Sequence, residues 1–111
     1  MLYFYNMSNA KDDFVWEALS NQTRRKILDL IRDEPKTTGD LCKKFKDLDR
    51  CTVMLHLGVL EKAGLIVPKK EGRFRWNYID VVPIQRIYER WIQKVAMPHA
   101  SLLSKLSRDL N

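Results

Sequence analysis

The chain has few of the residues that punctuate irregular or stapled folds: four glycines, four prolines and two cysteines in 111 residues. That scarcity excludes collagen-like and low-complexity classes, and Cys42 and Cys51 give no disulfide framework. No apolar run approaches the ~18 residues of a membrane span. The opening "MLYFYN" is apolar but lacks the basic flank and small-residue cleavage site of a secretion signal. Met7-Ser8-Asn9 reads as a more ordinary start, with residues 1–6 a dispensable extension. The expectation is a cytoplasmic chain with reduced thiols, in which the sequons at Asn6 and Asn21 are chance matches. With two histidines and no glycine-rich phosphate loop, G-x-S-x-G or H-E-x-x-H, the parts of common enzyme sites are missing. Neither catalytic residues nor a cofactor are expected.

What is present points elsewhere. Hydrophobic residues at 45% and charged residues at 31% suit one folded domain. The net charge is +6, and it is unevenly spread. Residues 20–79 hold fourteen Lys/Arg against eight acids, whereas residues 1–19 hold one against three. A polyanion would therefore be held by the middle of the chain.

Periodicity divides that middle. "DDFVWEAL" places Phe14, Val15, Ala18 and Leu19 on one helical face. Asn21 can cap a second helix, "QTRRKILDLIRDE", with Ile27, Leu28 and Ile31 as its stripe and Pro35 as its stop. Thr37 or Thr38 can cap a short third helix, "GDLCKKF", with Leu41, Cys42 and Phe45 facing inward. Asp49 caps a fourth, which runs to about Ala63 and is closed by Gly64. The period then changes. "LIVPKKEGRFRWNYI" reads as a hairpin turning at Glu71-Gly72, where Phe74, Trp76 and Tyr78 alternate with Arg73, Arg75 and Asn77, so one face can pack while the other stays wet. Pro83 suits the first turn of a helix carrying Ile84, Ile87, Tyr88 and Trp91 on a stripe, and Pro98 breaks it. A last amphipathic segment repeats leucine at 102, 103, 106 and 110.

This order, mainly α with a small β-hairpin, predicts a winged helix-turn-helix: an N-terminal extension over 1–10, a DNA-binding region over 11–80, and a C-terminal helical segment over 81–111 in the same compact domain. The fourth helix would enter the major groove while the preceding helix braces it. At about 100° per residue, Val53, Leu57 and Leu60 face the core with His56 on the flank. Cys51, Leu55, Gly58 and Lys62 face outward, bordered by Arg50 and Met54. Thr52 and Met54 could meet thymine methyl groups, Arg50 a guanine or phosphate, and His56 a phosphate. Thr38, at the start of the third helix, joins this candidate set. Lys69, Lys70, Arg73 and Arg75 of the hairpin would hold neighbouring phosphates. Each has a structural alternative: Met54 and Leu55 as packing against a partner, His56 as a satisfied flank residue, the hairpin cations as a solvated face.

At this point the sequence resembles the ArsR-type winged-helix transcriptional regulators across most of residues 14–95. The resemblance rests on "ALSNQTRRKIL", "TTGDLCKKF" and "TVMLHLGVLEKAGLI" running into "EGRFRWNYI". A subgroup is closer still, joining R-x-x-V-M-x-H-L-x-V-L to a tryptophan-bearing strand and a later P-I-x-x-I-x-x-R-W helix. The resemblance implies a homodimer that binds a palindromic operator and represses transcription, its first and last helices forming the interface. Phe14, Val15, Ile84, Ile87, Tyr88, Trp91, Leu102, Leu103 and Leu106 would then be interface residues. The chain departs from metal-sensing members, because Lys44 follows Cys42 where a second thiolate would stand and His99 has no partner histidine; no metal is expected. Leu55 and Gly58 also stand where basic residues are common in the wider family. Two other readings are a winged-helix protein-interaction module and a redox-responsive regulator using Cys42 and Cys51.

Overall fold

The structure is a computed structural model that describes residues 2–92 and Leu106, with side chains from residue 10 onward. Helix α1 spans Leu2–Leu19, α2 Gln22–Ile31, α3 Thr38–Lys44 and α4 Arg50–Lys62. Strands β1 (Lys36–Thr37), β2 (Ile66–Glu71) and β3 (Phe74–Ile79) form an antiparallel sheet in the order β1-β3-β2. A fifth helix, α5, occupies residues 82–92.

The helix boundaries follow from local chemistry. Asn21 accepts from the Arg24 amide at 3.1 Å and starts α2. Thr37, not Thr38, caps α3: its hydroxyl accepts from the Asp40 amide while the Asp40 carboxylate accepts from the Thr37 amide, a reciprocal capping box. Asp49 accepts from the Thr52 amide at 2.7 Å to start α4. At its other end Leu65 donates to the Leu60 carbonyl and Gly64 to that of Glu61, both at 2.9 Å. This pair of bonds is a Schellman closure, and it needs the left-handed φ of +77° that Gly64 adopts. Helix α1 lacks such a stop; two arginines of α2 serve instead. Arg24 donates to the Ala18 and Glu17 carbonyls and Arg25 to that of Leu19, and the Glu17 carbonyl also accepts from the Ser20 amide and hydroxyl, so the last carbonyls of α1 are covered.

The core is one cluster. Val15 and Ala18 of α1, Ile27, Leu28 and Ile31 of α2, Leu41 of α3, Val53, Leu57 and Leu60 of α4, and Ile87 of α5 are all buried. The inward stripes expected of α2 and α4 are therefore those observed, and Cys42 and Phe45 pack partly against the same cluster. Two residues assigned to a dimer face are corrected here. Val15 is 1% exposed and Ile87 8% exposed, because the helical turn aims both inside the protomer. Ile84 and Phe14 are partly buried against that core. Leu102, Leu103, Pro98 and His99 lie outside the described residues.

The sheet has a feature absent from the expectation, the two-residue strand β1. Lys36 pairs with Asn77 and Thr37 with Trp76, which makes β3 the central strand. The hairpin turns at Gly72-Arg73, between the paired residues Glu71 and Phe74. A φ of +59° at Gly72, with no positive φ at Arg73, matches the sign pattern of a II′ turn. The packed face of β3 is the polar one. Asn77 is wholly buried, whereas Phe74 and Tyr78 lie exposed on the opposite face. The reason is the third strand: the Asn77 amide donates to the Lys36 carbonyl and the Thr38 hydroxyl, tying β3 to the start of α3.

Candidate nucleic-acid interface

Helix α4 is clamped on one side and open on the other. Val53, Leu57 and Leu60 are fully buried, while Arg50, Cys51, Leu55, Gly58 and Lys62 are exposed. Leu55 is 71% exposed, and a methyl group added at Gly58 would meet nothing within 4 Å. Thr52 and Met54 are half-buried, Met54 packing against the core with one edge. Arg50, Cys51, Leu55 and Gly58 thus stand outside the packed core.

The cations expected at DNA fall into two groups. Arg50, Lys70 and Arg73 are exposed and carry no ion pair among the described residues. The others are engaged. Lys69 lies 3.5 Å from Glu71 along its own strand. The Lys62 ammonium sits 4.7 Å over the Phe14 ring, drawn to α1 at the far end of α4. Arg75 donates to Glu61 at 3.0 Å, so it braces the hairpin against α4. Thr38 is a correction: it is 2% exposed and its hydroxyl is taken up by Asn77.

His56 also has an internal partner. Its Nδ1 lies 3.2 Å from the Arg24 guanidinium, which can only donate, so Nδ1 accepts and the imidazole is neutral there. Burial, with the Arg24 charge second, holds its pKa below the usual 6.5. The capping bonds of Asp49, chiefly from the Thr52 backbone, hold its carboxyl below the ordinary 3.8. Cys42 is half-buried and Cys51 exposed. Among the described residues no group of three or more His, Cys, Asp or Glu side chains is placed to hold a metal ion.

Sequence reasoning did not find Arg24, Glu61, Asn77 or Trp16. The first three act through partners 32, 14 and 39 positions away, which no local pattern announces. Trp16 is 48% exposed and stacks on Trp91 with ring centroids 6.5 Å apart. Its sign was available: a tryptophan off the buried stripe of an amphipathic helix.

The open strip of α4, braced by α2 and α3 and followed by a hairpin, is matched among known proteins. Residues 19–68 match a family described as "Helix-turn-helix domain". The uncharacterized HTH-type transcriptional regulator YuzN of Bacillus subtilis is 30% identical over 91 residues, spanning 77% of this chain and 99% of that protein. The chain belongs to the ArsR-type winged helix-turn-helix transcriptional regulators. The transcriptional repressor SdpR of the same organism is 32% identical over 71 residues, covering 64% of this chain and 78% of its own. A crystal structure of an ArsR family transcriptional regulator superposes with a TM-score of 0.70 at 29% identity, over 81% of this chain and 97% of that one. As a member of this family the chain is a DNA-binding transcriptional regulator and not an enzyme. Among the described residues no helix is long and apolar enough to cross a membrane.

Proposed function

We propose that this regulator is a cytoplasmic repressor that binds a palindromic operator as a homodimer. One observation carries the reading: α4 offers Arg50, Cys51, Leu55 and Gly58 outside the core, and Arg50, like Lys70 and Arg73 of the hairpin tip, has no ion pair among the described residues. In this reading Arg50, Cys51, Thr52, Met54, Leu55 and Gly58 face base edges in the major groove, and the N-terminal residues reach deepest. Lys70 and Arg73, with Lys69 behind them, take phosphates. His56 and Arg75 support the interface from within, through Arg24 and Glu61. Repression is favoured by the relative described as a transcriptional repressor.

A dimer with two-fold symmetry implies half-sites one or more helical turns apart, about 10 bp each. The test is a salt-dependent gel shift on duplex DNA from the region upstream of the coding sequence. Binding should weaken as salt rises, and Arg73→Ala should lower affinity on every duplex and flatten the slope by about one unit. An unchanged slope would remove Arg73 from the phosphate contacts. No binding at low salt to any palindromic promoter fragment would sink the operator reading.

A further inference from the structure

The wing is not evenly supported along its length. β1 pairs only with Trp76 and Asn77, so the sheet has three strands there and two from Arg75 outward. A two-stranded ribbon is marginal by itself. This one nevertheless carries Lys70 and Arg73 at its end. Arg75 sits at the transition, on the same face of β3 as Asn77 and the face opposite Phe74 and Trp76. Asn77 ties that face to β1 and α3 through the Lys36 carbonyl and the Thr38 hydroxyl. Arg75 ties it to the last turn of α4 through Glu61, at 3.0 Å and with only 27% of the arginine side chain exposed. Beyond this ion pair, no side-chain hydrogen bond or ion pair among the described residues links the ribbon to either helix of the motif; Lys69 pairs with Glu71 along its own strand.

We propose that Glu61 is a positioning residue of the DNA interface, acting through Arg75 to hold the wing tip in register with α4. The inference rests on the contact set proposed above. It runs against simple electrostatics. Glu61 is a carboxylate near a polyanion-binding surface, so through charge alone its loss would strengthen DNA binding. Through Arg75 its loss frees the ribbon, and Lys70 and Arg73 then reach their phosphates only at the cost of ordering it.

The experiment compares the full chain with Glu61→Gln, Arg73→Ala and the double variant. The probe is a duplex recovered by selection from random sequence with the wild-type protein. Expected is a loss of affinity of about twofold to fivefold for Glu61→Gln, the scale of one partly exposed ion pair. Arg73→Ala should cost less in the Glu61→Gln background than alone. The paired exchange Glu61→Arg with Arg75→Glu should recover most of the loss. Without DNA, the backbone order parameters of residues 70–74 should fall in Glu61→Gln while those of α4 hold. This readout separates failure of the positioning role from failure of the DNA contact set. Tighter binding by Glu61→Gln, additive effects with Arg73→Ala, or unchanged order at the tip would each overturn the proposal.

Discussion

His56 shows how much can depend on one side chain whose role was ambiguous in the sequence. The flank position was legible from helical geometry, but the partner was not, since Arg24 lies 32 residues earlier. The neutral ring accepts from a guanidinium that also covers the last carbonyls of α1. Protonation at Nδ1 would set a second cation against Arg24. The folded pKa is below the unfolded value of 6.5, so the unfolded chain binds more protons as pH falls. Stability is full above about 6.5 and is lost as pH drops through the folded value. The urea midpoint should therefore fall between about pH 7 and pH 5. His56→Gln, which keeps an acceptor but does not titrate, should flatten that slope. Asp49 and Asp33 also have lowered pKa values, but from an ordinary 3.8, so their losses lie in a more acidic window. An equal slope in the variant would assign the effect elsewhere. Asn77 marks the limit of local reading more sharply. Alternation along β3 offered two faces, and the aromatic one is the better hydrophobe. On the polar one Asn77 is buried because its amide nitrogen donates to the Lys36 carbonyl of β1 and to the Thr38 hydroxyl at the start of α3.

At the scale of elements the sequence was most informative where caps and stripes agree. Asn21, Asp49 and Gly64 each stand where the α2 and α4 boundaries fall, and the inner residues of both helices recur as expected. What stayed hidden was β1, too short at two residues to leave any period. Helix α4 carries a conflict between stability and function that can be measured at Gly58. A glycine inside a helix costs about 0.5–1 kcal/mol relative to alanine. An added Cβ has open space at this position. Gly58→Ala should thus raise folding stability by about that amount in thermal or urea unfolding. On DNA the same methyl group fills space that the groove would otherwise occupy, so operator affinity should fall. A stabilised variant with undiminished affinity would place Gly58 off the interface and move readout toward the N-terminal turn of α4 and the wing.

Across the whole molecule, the exposed apolar surface asks for a partner. Trp16, Tyr88, Trp91 and Ile92 are each 43% to 52% exposed, and Trp16 and Trp91 are already stacked across α1 and α5. An apolar group of this kind on a small domain marks an interaction site. The sequence reading expects a dimer face on these helices from apolar residues in excess of what one small core can bury, and of its members Tyr88 and Trp91 are exposed. Val15 and Ile87 went to the core, and Trp16, which was not chosen, went outside. In the proposed homodimer this surface would join the two copies about a two-fold axis. Trp16→Glu combined with Trp91→Glu places charges on exposed positions, so the protomer should still fold, with the far-ultraviolet circular dichroism of the wild type. Sedimentation should then report a dimer for the wild type and a monomer for the double variant, and affinity for a two-half-site duplex should collapse toward that for a single half-site. A wild type that sediments as a monomer at micromolar concentration, or a double variant that remains dimeric, would separate this surface from dimerisation and leave the aromatic pair in need of another partner.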